Sequence, residues 1–487
     1  MIYPQTKPTN SNGSNSSKHS KNPPNSDNSS DRRFGAGVYN KIVESVYAFA
    51  GSVSKYDAWQ KYKVLLKNQW LSREEIEKLQ WKKLKAILDY SYRTVPFYKN
   101  KFDRAGIKPE DINTPADMLL IPITTKEELM EEKMPLNPDL KAEGLEWIKT
   151  SGTTGTPLNW PFDVKTYSIK YALFLRGLNY TGWQPGDKIA SLWWHTHSSY
   201  GNESFSKIKK FAYFFGHRRV LFPPITRDST DADPRLLKYI YDNLASSPPK
   251  VFETSTDSLL MFGYFMEENG LKPLKIENII SIGLLTDAIR EKLKKYFQGE
   301  IFNRYGPHEM EGIGHDCSRH EGLHLSADSY YFECMRGGKP AKPGECGNFV
   351  ITDLDNYTQP FIRYKIGDRG SFSQKMCPCG RGLPLINYLE GRSADFVINE
   401  TCRKISPRQI LEFFGNYHEV KFFQLIQDGL IKFKLFLIVK NEVYLEADKI
   451  KQGLKRVLGN SADIEIIFTK SISAEPSGKF RWVKREI

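Results

Sequence analysis

Between about residues 150 and 350 this 487-residue chain alternates short apolar runs with amphipathic stretches, and that alternation limits its fold more than any other feature. Segments 189–194, 219–222, 251–253 and 279–282 read as strands, with helical patterns between them at 235–245, 256–269 and 286–297. Strands separated by helices pair in parallel, because a parallel crossover needs a helix's worth of chain. Residues 347–373 read instead as short strands joined by turns. Beyond Gly391, residues 422–426 and 431–439 flank Asp428-Gly429, a hairpin signal. A helix at 449–458 and a strand at 463–469 follow. The expectation is an α/β fold: a large N-terminal α/β domain with a mostly parallel sheet and a strand-rich subdomain, plus a small α+β C-terminal domain.

The domain limits follow from composition. Residues 1–34 are rich in Ser, Asn, Pro and Lys and read as a disordered tail, since they bury too little apolar surface to offset chain entropy. The large domain is expected over 35–390 and the small, mobile one over 391–487. Near its start, residues 37–66 and 72–92 look helical, with Ser72 as N-cap before Glu74 and Glu75. A further helix begins after Pro96, and another after Thr124 or Thr125.

No apolar run reaches the length of a membrane span, and the N-terminus lacks the pattern of a secretory signal, which points to the cytoplasm. The net charge of +13 favours anionic partners such as phosphate-rich cofactors. Zinc-finger spacing, RNA-binding aromatic signatures and concentrated basic blocks are missing, so no nucleic-acid partner is expected. Six cysteines in so long a chain do not suggest a disulfide framework.

The run Thr150-Ser151-Gly152-Thr153-Thr154-Gly155-Thr156-Pro157 follows a short strand at 145–148. Its glycines allow tight turning, and its hydroxyls and backbone N–H groups are donors suited to phosphate oxygens. It is not a Walker A loop, because no lysine follows the last glycine. An ordinary polar turn would share this composition. Four further clusters lie downstream: Asn303-Arg304-Tyr305-Gly306-Pro307-His308-Glu309, residues 361–368 ending in Gly367-Asp368, residues 389–395 around Gly391-Arg392, and Pro476-Ser477-Gly478-Lys479. Taken singly, Tyr305 fits a core aromatic, Asp368 a turn, Glu309 a helix start and Lys479 a surface lysine. Their order along one chain is far more specific.

That order resembles the adenylate-forming superfamily of acyl-CoA synthetases, over about residues 75–487. Tyr92-Arg93-Thr94-Val95-Pro96-Phe97-Tyr98, Gly322-Leu323-His324 and Cys377-Pro378-Cys379-Gly380-Arg381 are similar to the phenylacetate-CoA ligases and their capsular-polysaccharide relatives. The resemblance implies an AMP-forming acid–thiol ligase with ATP, Mg²⁺ and coenzyme A as cofactors and a small, aromatic carboxylic acid as substrate. A relative that transfers to another acceptor and a silent scaffold of the same fold remain alternatives. By resemblance, Ser151, Gly152, Thr153, Thr154 and Gly155 hold the β- and γ-phosphates. Tyr305, with Gly306, meets adenine, Asp368 accepts from the ribose hydroxyls, and Arg392 adds a ribose or phosphate contact. Glu309 helps bind Mg²⁺, and Lys479 reaches the α-phosphate and the acyl carboxylate; Thr154, Glu309 and Lys479 are the catalytic group. Relatives carry two acidic residues after the Gly-Arg-x step, whereas this chain has Ala394 followed by Asp395.

Cys317, His324, Cys377 and Cys379 offer three thiolates and an imidazole, a donor set for closed structural zinc. His315 and His320 compete as the nitrogen ligand, and buried cysteines beside a surface histidine are the plain alternative.

Overall fold

A computed structural model describes residues 41–42, 45–46, 57–131, 145–149, 159–192, 219–222, 230, 232–307, 309–440, 446–473, 475 and 480–487. The tail 1–34 lies outside these, as do Ser151, Gly152, Thr153, Thr154, Gly155 and Lys479.

The chain opens with α1 (Ala58–Asn68), α2 (Arg73–Thr94) and α3 (Pro96–Arg104). Ser72 caps α2 through a reciprocal box with Glu75. Thr125 and Glu128 exchange a like pair of bonds at the start of α4 (Lys126–Glu131). Strands β1 (Glu146–Lys149) and β2 (Asn159–Phe162) then pair antiparallel. The hydroxyl- and glycine-rich run therefore connects the two strands of a hairpin rather than a strand and a helix.

The α/β part follows: α5 (Val164–Asn179), β3 (Ile189–Leu192), β4 (Arg219–Leu221), α6 (Pro234–Ser246), β5 (Val251–Ser255), α7 (Thr256–Glu268), β6 (Asn278–Ile282), α8 (Asp287–Lys294) and β7 (Glu300–Tyr305). Strands β4, β3, β5, β6 and β7 lie side by side, all parallel. Their sequences are apolar without alternation, and the structure explains it. Ile189, Val251, Ile280 and Phe302 enter a core shared with α1 and α5. Their neighbours Ala190, Phe252, Ile279 and Ile301 enter a second core with α6, α7 and α8. Both faces of the sheet are covered, as parallel sheets require.

The strand-rich part contains β8 (Gly314–His315), β9 (Leu323–Leu325), β10 (Tyr330–Arg336), β11 (Lys339–Pro340), β12 (Gly347–Asp353), β13 (Tyr364–Phe372) and β14 (Leu385–Arg392). It is not a separate layer. β8 and β9 join it edge to edge to β7, making a twelve-stranded sheet in the order β11-β10-β12-β13-β14-β9-β8-β7-β6-β5-β3-β4. The joint is slender: Tyr305 pairs Gly314, His315 pairs His324, and Ile386 pairs Leu323.

After β14 come β15 (Val397–Ile398), β16 (Lys404–Ile405), α9 (Pro407–Phe414), β17 (Val420–Gln427), β18 (Lys432–Val439), α10 (Ala447–Leu458), β19 (Asp463–Phe468) and β20 (Val483–Arg485). A separate four-stranded sheet runs β19-β18-β17-β20. The β17–β18 hairpin turns at Asp428-Gly429. Among the described residues no helix is long and apolar enough to cross a membrane.

A buried ion pair ties the first helices to the sheet. Arg176 on α5 and Asp328, just before β10, are both fully enclosed, with Arg176 Nη1 at 3.0 and 2.8 Å from the two carboxylate oxygens. Asn68 at the end of α1 donates to the same carboxylate. Arg176→Ala leaves Asp328 as an uncompensated buried charge and should destabilise the fold by about 3–5 kcal/mol, whereas Arg176→Met with Asp328→Leu should recover most of that. Thermal denaturation of both variants reads the difference; equal losses would show that packing, not the charge, dominates there.

Candidate functional site

Four of the residues singled out in the sequence meet at the ends of β7 and β14 and midway along β13. Tyr305 is the last residue of β7, and its hydroxyl donates to Asp368 Oδ2 at 2.7 Å. Asp368 sits on β13 directly opposite Arg392 on β14, so the ladder register itself pairs them. Arg392 Nε lies 4.0 Å from Asp368 Oδ1. Burial and the Asp368 carboxylate raise the Tyr305 phenol well above its ordinary range, so it stays a donor. Tyr305 and Asp368 are each under one-tenth exposed.

The fourth residue, Glu309, follows β7 after a turn. Gly306 opens that turn, where a Cβ would stand 3.0 Å from the Met310 carbonyl oxygen. The buried Glu309 carboxylate accepts from the Tyr364 hydroxyl at 3.4 Å. Tyr364 escaped the sequence reading as a site residue. Its signal lay in the strand period: Tyr364, Ile366 and Asp368 alternate onto the buried face of β13. Arg363, one residue earlier, has a positive φ of 46° and is fixed by a two-pronged bond to Glu333. It anchors the start of that strand.

Elsewhere in the same sheet Cys317, His324, Cys377 and Cys379 converge, with one ligand atom from each lying within 4.8 Å of all the others. Cys317 and Cys377 Sγ are 3.7 Å apart, and Cys379 Sγ is 3.4 Å from His324 Nε2. A tetrahedron with metal–sulfur bonds of about 2.3 Å has edges of about 3.8 Å, so the donors fit a four-coordinate ion. Burial pushes the Cys317 thiol up to about 12, raises Cys377, and pushes His324 down to about 4. At Cys379 burial acts upward too, but hydrogen bonds from Arg381 outweigh it and the pKa is lowered. Two enclosed thiols that resist ionisation, Cys317 and Cys377, with a third that ionises more readily and an imidazole kept neutral, are a donor set that a cation would complete. The geometry also separates the competing histidines. His320 is bound to Asp316 and Glu300, and His315, although opposite His324 in the ladder, stands outside the cluster.

Arg381, the last residue of the Cys377–Arg381 segment, lies between the rings of Trp70 and Tyr180 at 4.7 and 4.3 Å from their centres. At the domain boundary Asp395 pairs with Arg481, two residues beyond Lys479. Ser151, Gly152, Thr153, Thr154, Gly155 and Lys479 lie outside the described residues, as do the aromatic residues 193–200 and 214–215. The neighbours of the phosphate run are described, and β1 and β2 close its two ends together.

Comparison with known proteins shows what this chain is similar to. Residues 397–486 match the model described as the CapK C-terminal domain. A phenylacetate-coenzyme A ligase of Thermus thermophilus is 26% identical over 67% of this chain and 73% of its own length. Protein CapK of Staphylococcus aureus is 21% identical over 85% of this chain and 90% of its own. Among solved structures, 2-hydroxyisobutyryl-CoA ligase in the postadenylation state, in complex with R3-HIB-AMP, superposes with a TM-score of 0.71 at 18% identity. That match covers 86% of this chain and 91% of the other. Over most of its length the chain is thus similar to phenylacetate-CoA ligases and CapK, and it shares the fold of a CoA ligase. Its fold is the expected α/β one, with a large sheet and a small C-terminal sheet domain.

Within this family frame Tyr305 is more than an aromatic surface, because its hydroxyl aims the carboxylate of Asp368. Tyr305→Phe removes a hydrogen bond to a charged group, worth about 1.5–3 kcal/mol. Adenine-nucleotide affinity should fall by about tenfold or more, at about 1.4 kcal/mol per decade, with the fold retained. Calorimetric titration with AMP measures it, and an unchanged affinity would remove Tyr305 from the site.

Proposed function

We propose that this chain is an ATP-dependent acid–thiol ligase that adenylates a small, aromatic carboxylic acid and passes the acyl group to coenzyme A in the cytoplasm. The observation that carries the reading is the meeting of Tyr305, Asp368 and Arg392, with Glu309 held by Tyr364 beside the same strands. In the first step a carboxylate oxygen of the acid attacks the α-phosphorus of ATP, and pyrophosphate leaves. In the second, the thiol attacks the acyl carbon, AMP leaves, and the thiol proton passes to solvent.

The chain's residues act on this as follows. Asp368, oriented by Tyr305, accepts from the ribose hydroxyls. Arg392 opposite it adds positive charge beside the ribose and the phosphates. Glu309 would offer a carboxylate oxygen to Mg²⁺, whose charge would offset the repulsion between phosphates and acid. The hairpin loop of Ser151, Gly152, Thr153, Thr154 and Gly155 supplies donors to the β- and γ-phosphates. Lys479 neutralises charge on the α-phosphate as it develops. The Cys317, His324, Cys377 and Cys379 cluster would hold structural zinc; four protein donors leave no open position for chemistry.

Carboxylate-dependent exchange of pyrophosphate into ATP, run over a panel of acids with phenylacetate first, tests the first step. Thioester formation on adding coenzyme A then tests the acceptor. Exchange with an aryl acid is expected, and Lys479→Ala should abolish it without unfolding the protein; exchange at the wild-type rate in that variant would refute the role given to Lys479. Elemental analysis should find about one zinc per chain, as four ligands imply. Replacing Cys377 and Cys379 with serine should remove the zinc and lower the melting temperature. A protein purified without metal, whose stability is indifferent to those changes, would refute the zinc assignment.

A further inference from the structure

The segment that carries Cys377 and Cys379 is pressed against the turn between α1 and α2. A Cβ on Gly382 would lie 1.8 Å from the Leu71 carbonyl oxygen, and the Gly382 N–H donates to the Gln69 carbonyl. The Arg381 side chain, two residues after Cys379, reaches the same turn. Its Nε donates to Gln69 Oε1 at 3.0 Å, and its guanidinium is held between the faces of Trp70 and Tyr180. Among the described residues those partners are an amide and two rings, with no carboxylate. A guanidinium is always charged, so this is a cation without a matching anion.

The cluster beside it can supply that anion. Three thiolates and a neutral imidazole around a divalent ion keep one net negative charge. Burying a net charge is costly unless an opposite one lies near. Arg381 turns donors from its backbone N–H and its side chain toward the Cys379 sulfur. Tyr180, whose face the guanidinium covers, meets the His324 ring edge-on with 5.7 Å between centres. One arginine thus bears on two of the four donors, one in the loop before β14 and one in β9.

We propose that Arg381 is the counter-cation and positioning residue of the four-donor site. It offsets the negative charge left on a zinc ion held by three thiolates, and it holds Cys379 and, through Tyr180, His324 against that ion. This rests on the zinc reading above. R381M should weaken zinc binding about tenfold to a hundredfold, the usual effect of losing a group that orients metal ligands from outside. Competition with a chromophoric chelator measures it. R381K, which keeps the charge but not the planar fork, should recover part of that loss. Cobalt(II) in place of zinc reports donor geometry, and its visible spectrum should change shape in R381M.

A second comparison separates this role from mere packing of the arginine between the two rings. R381M should lower the melting temperature more in the zinc-loaded chain than in a chain carrying C377S and C379S, because only the former has a charge for Arg381 to offset. Equal losses in the two backgrounds would make Arg381 a packing residue and overturn the proposal. So would an R381M chain that binds zinc as tightly as the wild type. A wild-type chain that takes up no zinc would instead overturn the zinc reading, and this proposal with it.

Discussion

The large sheet depends on a joint only two and three residues wide. Its parallel half ends at β7, its antiparallel half begins at β14, and between them stand β8 and β9. So few backbone hydrogen bonds hold a seam weakly, since each contributes about 1 kcal/mol net. The Cys317, His324, Cys377 and Cys379 cluster lies on that seam. Cys317 follows β8, His324 is within β9, and the Cys377-Pro378-Cys379 step precedes β14. An ion shared by these four groups would tie both halves at the point where the backbone does least.

The proposed nucleotide site depends on the same seam, because its residues come from both sides. Tyr305 belongs to the parallel half, and Asp368 and Arg392 to the antiparallel half. Their hydrogen bond therefore exists only while the halves keep register. The same holds for Glu309, which follows β7, and Tyr364, which begins β13. The small C-terminal sheet is linked to the large part through Arg481 with Asp395 and Trp482 with Asp257.

Much of this was legible in the chain. The parallel strands announced themselves because both faces are buried, which leaves apolar runs such as 279–282 without alternation. The hairpin at Asp428-Gly429 and the cap at Ser72 are local chemistry, and local chemistry is what a sequence displays most plainly. The chain did not show that the strand-rich part continues the large sheet, since β8 and β9 are too short to leave a periodic trace. Nor did it show that Tyr305 bonds Asp368, because 63 residues separate them and only the ladder brings them together. Tyr364, Asp257 and Trp482 were overlooked for the same reason: each acts through a partner remote in sequence. His324 was separable from His315 and His320 only in three dimensions.

The central claim is that the ends of β7 and β14 and the middle of β13 hold the adenosine part of a nucleotide. A crystal structure with AMP bound tests it most directly. The account predicts ribose hydroxyls within hydrogen-bond distance of Asp368, Arg392 beside the ribose or phosphate, and adenine against Tyr305. A nucleotide bound elsewhere, with the Tyr305–Asp368 pair untouched, would contradict it.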